Sequence, residues 1–410
     1  MERLAVVGPG LMGLGIARIA AAAGFDVLLF GRDPASAQAS KQRLAAQLER
    51  EAARGRAAPE QVARLLAAVH PAASDAELGR CAWAIESVPE DRALKHATLQ
   101  RLQAALPPQA LIGTNTSGLP VSGLARALDR PQRFLGLHFF SPVERMKLVE
   151  VVRGEATADS TLHDALALVR RLGQEPVVVR DGPGFFTSRV FAAYLDEALA
   201  LVGEGVSPVA VDSAARDLGR TLGPLALLDD ISLGLNLQQI EQAWADGLPP
   251  QRCRPQGAPV LAAMVAAGRP GRRQGGGFYD IGADGERTLW PGLAALFPAA
   301  SGAPAAETLR QRLRWIESLE ALRCLEEGVV DSADAADAAS CLGLAYPRAE
   351  GGVLGAVERI GLAAFVARAD ALADAHGERF RPSPWLRHLA ATDAGLQRWR
   401  APAPLQKETG

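Results

Sequence analysis

The strongest constraint on the fold lies at the start of the chain, where a short apolar strand pattern runs into a glycine-rich turn. The strand pattern is Leu4–Val7, the turn reads GPGLMG over Gly8–Gly13, and the next segment, Leu14–Ala23, has helical composition. A second strand pattern, Asp26–Phe30, follows directly. Strand, glycine turn, helix and strand in this order are typical of the first half of a doubly wound, dinucleotide-binding α/β fold.

Each residue of this turn has a physical task in such a fold. Gly8 permits the tight turn, Gly10 lets the backbone approach a pyrophosphate, and Gly13 allows close helix packing. Leu11 and Met12 lie at the helix N-terminus, whose unpaired N–H groups can face phosphates. We therefore predict that Gly8, Gly10, Leu11, Met12 and Gly13 bind the pyrophosphate of a dinucleotide.

The end of the second strand normally carries an acidic residue, which binds the adenine ribose hydroxyls. That position is Gly31 here, and Arg32 and Asp33 follow it. The missing carboxylate and the guanidinium of Arg32 suit the 2′-phosphate of NADP, whereas Asp33 could still reach the ribose of NAD. Both residues are predicted cofactor contacts, and the sequence favours NADP slightly over NAD. A solvated loop charge is the alternative for Arg32.

A long helical pattern, Ala35–Val69, is broken at Gly55–Pro59 and predicts a helical hairpin inserted after the second strand. Arg50, Arg54 and Arg56 cluster near its tip. They are candidates to bind the phosphates of a large acyl carrier. Solvated helix charges are the simpler alternative.

Polar side chains follow the next predicted strands. Glu90 and Lys95 come after Ala82–Ile85, and Ser117 comes after Leu111–Gly113. Ligands of a doubly wound sheet lie beyond the carboxyl ends of its strands. We therefore expect these side chains to converge with His138 on one crevice.

The segment Gly136–Val152 reads as two strands joined by the turn Ser141–Met146, which would bring His138 and Glu150 close together. A carboxylate against one imidazole nitrogen fixes the tautomer and raises the basicity of the other nitrogen. The alternative is a core histidine bonded to a backbone carbonyl. The expected convergence with Ser117 favours a proton-transfer pair.

From Asp181 onward the chain is helical, and a set of residues recurs at an offset of 123. The recurring residues are Arg189, Glu197, Ala198, Gly205, Val206 and Pro224, which return as Arg312, Glu320, Ala321, Gly328, Val329 and Pro347. Two copies of one helical unit are implied. The predicted fold is α/β: a Rossmann-like doubly wound sheet at 1–181 with the hairpin insertion, then tandem all-α domains at 182–297 and 307–400. A flexible tail is expected at 401–410.

Composition narrows the classes of partner. The 46 acidic and 44 basic residues give a net charge of −2 without a basic run, which argues against nucleic acid and an anionic membrane surface. The four cysteines show no metal-ligand spacing, so no metal is expected and a reduced cytoplasm fits. Without a signal-peptide pattern or a run of about 18 apolar residues, we expect a cytoplasmic protein with no membrane span.

Four motifs resemble the L-3-hydroxyacyl-CoA dehydrogenases of β-oxidation. They are NTSGLP at 115–120, GLHFFSPVERMKLVEVV at 136–152, DGPGFFTSR at 181–189 and GRRQGGGFY at 271–279. The similarity runs over about residues 3–395 and is strongest to the dehydrogenase part of the α subunits of fatty-acid oxidation complexes and trifunctional proteins. Those subunits carry two helical domains in tandem. The hydratase part that precedes them is expected to be absent from this chain.

The resemblance implies interconversion of L-3-hydroxyacyl-CoA and 3-ketoacyl-CoA by hydride transfer with NAD or NADP. It implies that His138 is the acid/base, that Glu150 orients it, and that Ser117 binds both substrate and cofactor. Glu90 and Lys95 match the family's cofactor-side pair.

Two serines stand where many single-domain members of the family have asparagine. Ser188 is implied near the substrate thioester, as part of the catalytic set, and Ser141 is implied beside the nicotinamide. Single-domain members dimerise through the helical domain, a contact that the second copy could replace. A monomer or a homodimer is therefore expected, with 307–395 structural.

Two other functions remain open at this point. One is a biosynthetic enzyme of the same fold that acts on an acyl-carrier-protein thioester or a free 3-hydroxy acid. The other is a dinucleotide-binding protein without catalysis, against which Ser117, His138 and Glu150 argue. Related 3-hydroxyisobutyrate and phosphogluconate dehydrogenases use a lysine as acid/base, so His138 with Glu150 fits them poorly.

Overall fold

The computed structural model describes residues 2–249, 252–282, 284–300, 302, 304–392 and 395–400. The chain divides into two compact units, Met1–Phe185 and Phe186–Gly410. The first unit holds the large sheet, and the second is mainly helical. The finer division of the helical part at 182–297 and 307–400 stays a prediction. The predicted flexible tail, 401–410, lies outside the described residues.

Within the described part of the first unit, eight strands form one sheet in the order β3-β2-β1-β4-β5-β6-β7-β8. The strands are β1 (Arg3–Val7), β2 (Asp26–Phe30), β3 (Val69–Pro71), β4 (Trp83–Glu86), β5 (Leu111–Thr114), β6 (Phe134–Phe139), β7 (Leu148–Arg153) and β8 (Glu175–Arg180). Neighbouring strands pair in parallel except β6 and β7, which are antiparallel. The strand order reverses at β1, which makes the crevice between β1 and β4 the expected ligand position.

The helices of this unit are α1 (Leu11–Ala22), α2 (Pro34–Ala53), α3 (Pro59–Ala67), α4 (Arg92–Ala105), α5 (Val121–Ala125) and α6 (Asp159–Arg171). Short 3-10 helices lie at Asp75–Arg80 and Pro131–Arg133. The predicted doubly wound sheet and helical hairpin are confirmed, the hairpin being α2 and α3. The structure differs at Val69, which begins the short strand β3 and does not continue the helical pattern.

The central strands are apolar on both faces because helices and loops cover the sheet on both sides. In β1, Leu4, Ala5 and Val6 have no exposed surface, and Ile16 and Ala20 of α1 share one core cluster with Leu4 and Val6. Each fully buried leucine or isoleucine of this kind contributes roughly 1.5–3 kcal/mol. Four apolar side chains of the hairpin join the same core: Leu44, Leu48, Val62 and Leu65. One face of the hairpin therefore belongs to the sheet unit.

The second unit contains helices α7 (Thr187–Gly203), α8 (Pro208–Asp217), α9 (Pro224–Ile231), α10 (Leu233–Ala245), α11 (Ala258–Ala266), α12 (Leu293–Leu296), α13 (Ala306–Glu326), α14 (Ala333–Gly343), α15 (Gly355–Ile360), α16 (Leu362–His376) and α17 (Pro384–Ala390). An antiparallel pair, β9 (Tyr279–Ile281) and β10 (Arg287–Leu289), is added to the helices. Short 3-10 turns lie at Arg272–Gln274, Arg348–Glu350, Glu378–Phe380 and Gln397–Trp399.

The predicted repeat is visible in the long helices α7 and α13, which pair reciprocally through buried arginines. Each arginine binds two glutamates of the opposite copy: Arg189 binds Glu320 and Glu327, and Arg312 binds Glu197 and Glu204. Arg189 is equivalent to Arg312, Glu197 to Glu320, and Glu204 to Glu327. The two members of each pair are 123 residues apart, as the sequence repeat requires. The two copies therefore present the same face to one another, as the halves of a two-fold interface do.

No helix in the described part of the chain is both long enough and apolar enough to cross a membrane. Within the same residues, no group of three or more histidine, cysteine or acidic side chains is arranged to hold a metal ion.

Candidate active site

The glycine turn between β1 and α1 has no room for a side chain at Gly8 or Gly13, but it has room at Gly10. Gly8 has φ +87°, and a Cβ there would lie 2.6 Å from the carbonyl oxygen of Ser87. A Cβ at Gly13 would collide with the carbonyl oxygen of Gly8, whereas a Cβ at Gly10 would meet no atom within 4 Å. The turn therefore leaves backbone open at Gly10, which fits the close approach of a pyrophosphate.

The residues that follow Gly10 begin α1 beyond the carboxyl end of β1. Leu11 is 72% exposed, and Met12 is half-buried. An exposed leucine at a helix N-terminus beside an open backbone turn is a suitable surface for a nucleotide. Leu11 and Met12, the predicted pyrophosphate contacts, are the first two residues of α1 and follow Gly10 directly.

The glycine turn is joined to the end of β2, because the Gly8 N–H donates to the Phe30 carbonyl at 2.9 Å. The next residue, Gly31, has no room for a side chain. A Cβ there would collide with Ser36 Oγ and would lie 2.8 Å from the Ala37 nitrogen. An acidic residue at this position would have to displace the first turn of α2.

Asp33 and Arg32 have different roles at this corner. Asp33 is the N-cap of α2 and accepts a hydrogen bond from the Ser36 N–H at 2.7 Å, which lowers the pKa of its carboxyl. Arg32 is exposed, and its guanidinium donates to no acceptor in the described residues. The structure thus leaves a free cation next to Gly31 and commits the nearest carboxylate to helix capping.

The loop after β5 is fixed by Glu90. One carboxylate oxygen, Oε1, accepts hydrogen bonds from Thr116 Oγ1 at 2.6 Å, from the Ser117 N–H at 3.0 Å and from the Gly118 N–H at 3.2 Å. The Ser117 hydroxyl donates to the same oxygen at 3.4 Å, and these four donors hold the loop in a single conformation. Glu90 and Ser117 therefore meet as predicted, and Glu90 sets the position of the Ser117 backbone.

Lys95 has no exposed surface, and its main partner is Glu86, which is equally buried. The Lys95 Nζ lies 2.9 Å and 3.2 Å from the two Glu86 oxygens, 3.3 Å from the Val88 carbonyl and 3.4 Å from Glu90 Oε2. Lys95 thus reaches the edge of the site through Glu90. Sequence reasoning did not select Glu86 as a site residue, although an acid at the end of a buried strand was its signal.

His138 and Glu150 are directly opposite one another on the antiparallel strands β6 and β7. The His138 Nδ1 lies 2.7 Å from Glu150 Oε2, with 7% of the histidine exposed and none of the glutamate. The imidazole packs against Phe140, with ring centroids 4.4 Å apart, and against Phe185 at 6.1 Å. An ionised carboxylate only accepts hydrogen bonds, so Nδ1 is the donor of this contact when Glu150 is ionised, and Nε2 is the nitrogen left for a ligand.

Asn115 connects three strand ends and was not selected from the sequence. Its Oδ1 accepts from the Phe139 N–H at 2.9 Å, and its Nδ2 donates to Ser87 Oγ at 3.2 Å. The loops after β4 and β5 and the end of β6 are thereby held at fixed spacing. Its signals in the sequence were the polar run that follows β5 and its place at the start of the NTSGLP motif.

The other predicted residues take no part in the hydrogen bonds described above. Ser141 is exposed in the turn after β6, and Arg50, Arg54 and Arg56 are exposed at the end of α2 and in the turn that follows. Ser188 lies in the first turn of α7, in the second unit. Their contacts with cofactor or substrate stay predictions.

Comparison with known proteins gives the family. The model of the 3-hydroxyacyl-CoA dehydrogenase NAD binding domain matches residues 3–182, and that of the 3-hydroxyacyl-CoA dehydrogenase C-terminal domain matches residues 184–281. The fatty acid oxidation complex subunit alpha of Pseudomonas paraeruginosa is 33% identical over 396 residues, which are 94% of this chain and 54% of that protein. The chain thus spans about half the length of the curated relatives it matches.

Two solved structures resemble the chain over nearly their own full length. The 3-hydroxybutyryl-CoA dehydrogenase of Escherichia coli is 27% identical with a TM-score of 0.80, covering 95% of this chain and 98% of that one. The (S)-3-hydroxybutyryl-CoA dehydrogenase of Ralstonia eutropha is 33% identical with a TM-score of 0.64, covering 68% and 98%. With the open glycine turn and the buried histidine–glutamate pair already at one sheet edge, these similarities establish that the chain belongs to the 3-hydroxyacyl-CoA dehydrogenase family.

Proposed function

We propose that the protein interconverts L-3-hydroxyacyl-CoA and 3-ketoacyl-CoA, with a nicotinamide dinucleotide as redox partner. The observation that carries this proposal is the 2.7 Å contact between His138 Nδ1 and the fully buried Glu150. It lies at the carboxyl edge of the sheet, on which the glycine turn also opens. A bound nicotinamide would accept or supply the hydride.

The proton chemistry follows from the two nitrogens of one ring. In the oxidative direction, His138 Nε2 takes the proton of the 3-hydroxyl group, and Glu150 stabilises the imidazolium that forms. In the reductive direction, the imidazolium returns this proton to the oxygen at C3. Phe140 and Phe185 shield the ring from water, which strengthens its ion pair with Glu150.

Three serines are proposed to contact the substrate or the cofactor. Ser117, whose backbone is fixed by Glu90, would hydrogen-bond the substrate hydroxyl and the nicotinamide end of the cofactor. Ser141 would contact the nicotinamide from the turn after β6, and Ser188 would contact the thioester. Hydroxyl groups suit both tasks because each can donate and accept.

The cofactor contacts are proposed at the corner between the glycine turn and β2. Gly8, Gly10, Leu11, Met12 and Gly13 would hold the pyrophosphate. Arg32 favours NADP over NAD, because it follows a position at which a carboxylate has no room. Glu90 and Lys95 would act on the cofactor side, with Lys95 working through Glu90.

The acyl carrier is proposed to be CoA, and the exposed arginines Arg50, Arg54 and Arg56 would bind its phosphates. A comparison of acetoacetyl-CoA with acetoacetyl-pantetheine separates this role from the chemistry, since pantetheine has no phosphates. Replacing Arg50, Arg54 and Arg56 with glutamine should raise KM for acetoacetyl-CoA and leave KM for acetoacetyl-pantetheine unchanged.

The decisive experiment measures reduction of acetoacetyl-CoA by the parent chain, by His138→Gln and by Glu150→Gln. We expect kcat to fall by about 10²–10⁴-fold in His138→Gln, because a positioned acid/base contributes that much. Glu150→Gln should show a smaller loss, since the imidazole remains but loses its counter-charge. Equilibrium binding of the nucleotide should stay unchanged in both variants.

The proposal would be overturned if His138→Gln turned over as fast as the parent chain. Turnover of acyl-carrier-protein thioesters or free 3-hydroxy acids without turnover of CoA esters would instead favour the biosynthetic alternative. Nucleotide binding without turnover of any of these substrates would favour a non-catalytic role.

A further inference from the structure

A second arginine reaches the corner between the glycine turn and β2. Arg43 lies on α2, and its Nη2 donates to the Pro9 carbonyl at 3.1 Å and to Ser40 Oγ at 2.8 Å. Pro9 follows Gly8, whose N–H donates to the Phe30 carbonyl. Arg43 is therefore anchored on the pyrophosphate turn, one hydrogen bond away from the strand end that precedes Gly31 and Arg32.

The guanidinium of Arg43 retains donors for a ligand. Only Nη2 takes part in the contacts with Pro9 and Ser40, so Nε and Nη1 donate to no acceptor in the described residues. Ser40 is buried and is itself held by the Ser36 carbonyl at 2.8 Å, which fixes the base of the arginine. An arginine held at one end with free N–H groups is preorganised for an anion.

Among the described residues at this corner, no carboxylate is available to bind the ribose hydroxyls of NAD. A carboxylate at Gly31 is excluded by Ser36 Oγ and the Ala37 nitrogen, and the carboxylate of Asp33 is engaged with the Ser36 N–H. In NAD-binding folds an acidic side chain at the end of the second strand normally hydrogen-bonds the ribose hydroxyls. The 2′-phosphate of NADP instead requires cationic side chains. The corner offers two cations and no uncommitted carboxylate among these residues.

We infer that Arg43 and Arg32 together form a 2′-phosphate site, so that NADP(H) is the preferred cofactor and Arg43 is a specificity-determining residue. The inference rests on the proposed role of the glycine turn in cofactor binding. A phosphate monoester carries close to two negative charges at neutral pH, and guanidinium groups bind such oxygens in bidentate fashion. Arg43 would supply the donors on the side of the glycine turn, and Arg32 those on the side of β2.

A structural role is the alternative for Arg43, since its bond to Pro9 also ties α2 to the turn. The two roles differ in their ligand dependence. A phosphate ligand affects only nucleotides that carry the 2′-phosphate, whereas a distorted turn weakens binding of every nucleotide.

The test is calorimetric titration of the full chain, without substrate, with 2′,5′-ADP and with 5′-AMP, which differ only by the 2′-phosphate. The parent chain should bind 2′,5′-ADP at least about tenfold more tightly, the effect expected of one charge-assisted hydrogen-bond pair. Arg43→Gln and Arg32→Gln should each reduce this ratio, and the double variant should abolish it. Arg64→Gln removes an exposed arginine from α3 of the same hairpin and should leave the ratio unchanged.

Three results would overturn the inference: equal affinity of the parent chain for both nucleotides, equal weakening of both by Arg43→Gln, or binding of neither. Because the titration involves no turnover, it gives its result even if no hydroxyacyl-CoA is a substrate. If the titration shows no preference for the 2′-phosphate but the chain still reduces acetoacetyl-CoA, the protein is an NAD-dependent dehydrogenase. The ratio of kcat/KM with NADPH to kcat/KM with NADH supplies a second readout and should fall in Arg43→Gln.

Discussion

Two buried charged pairs lie at the same sheet edge and have different tasks. His138 keeps 7% of its surface exposed, so its second nitrogen can face a ligand, whereas Lys95 is fully enclosed with Glu86. Burial of Lys95 without a partner would be very costly, and Glu86 supplies that partner. One pair therefore performs the proposed chemistry, and the other positions Glu90 and the Ser117 loop.

At this scale we predict strong coupling between Glu86 and Lys95. Glu86→Gln and Lys95→Met should each destabilise the sheet unit by about 3–5 kcal/mol, because each leaves a buried charge without its main partner. The double variant should recover part of that loss. Hydrogen exchange of β4 and β5, followed by mass spectrometry, measures the effect in this unit.

The matched control for this cycle is the exposed pair of Arg153 and Asp159, whose side chains are 44% and 86% exposed. Arg153→Met should change the stability by no more than about 1 kcal/mol. Additive effects of Glu86→Gln and Lys95→Met would contradict the assignment of Lys95 to Glu86.

At the scale of elements, the position of the site follows from two local arrangements. The glycine turn fixes where α1 starts against β1, and the antiparallel pairing of β6 with β7 sets His138 opposite Glu150. A shift of that pairing by one residue would turn the glutamate to the other face of the sheet. Strand register is therefore as important for the pair as the identity of its residues.

We predict that Gly13→Ala weakens nucleotide binding, because the new Cβ would collide with the Gly8 carbonyl oxygen and displace the turn. Overpacking of this kind costs typically about 1–3 kcal/mol. The dissociation constant for NADPH or NADH, measured by nucleotide fluorescence, should rise at least about fivefold. Gly182→Ala serves as the control, since a Cβ at that position meets no atom within 4 Å. If Gly13→Ala bound the nucleotide as tightly as the parent chain, the close packing of Gly13 against the Gly8 carbonyl would not matter for cofactor binding.

At the scale of the whole molecule, the reciprocal pairing of α7 with α13 suggests a closed two-fold face within one chain. Arg312 and Glu197 have essentially no exposed surface, and their ion pair is 2.6 Å long. We predict that the protein is a monomer, because α13 of the second copy already covers the face of α7 that another chain could otherwise bind. Sedimentation equilibrium should give the mass of one chain across the micromolar range. A stable dimer at these concentrations would contradict the prediction.

The helical unit also contains a carboxyl whose protonation affects stability. Burial raises the pKa of the Asp229 carboxyl to about 6, although it accepts hydrogen bonds from the N–H groups of Phe278 and Tyr279 and lies near Arg287. Because the folded-state pKa lies above the unfolded value of 3.8, the native state binds this proton more tightly. Its stabilising contribution is complete below the unfolded pKa and is lost as the pH rises through about 6.

We therefore predict that the parent chain loses stability relative to Asp229→Asn as the pH rises from 5 to 8. The change should be about 1 kcal/mol over this range, from the linkage between the two pKa values. Urea unfolding of both proteins at several pH values measures the difference, and the asparagine variant serves as the non-titrating reference. A difference that stays constant with pH would rule out the raised pKa.

Local patterns in the sequence determined the elements of the fold and the residue types of the site. The strand–turn–helix order predicted the doubly wound sheet, because a glycine turn of this spacing is compatible with few other structures. The predicted limits of β2 agree with the structure, and short apolar runs next to His138 and Glu150 predicted the strands that carry them. The repeat at 123 residues likewise predicted the equivalence of α7 and α13.

Tertiary structure alone decided which side chains are partners. The resemblance paired Lys95 with Glu90, and the two lie 3.4 Å apart, but it did not identify Glu86, against which Lys95 is buried at 2.9 Å. Nor did the sequence show that Asn115 meets Phe139 or that Arg43 meets Pro9. The physical reason is that periodicity specifies which face of an element is buried, but a hydrogen bond depends on atoms meeting within about 3 Å. Such meetings are set by strand order, register and helix direction, which no local pattern contains.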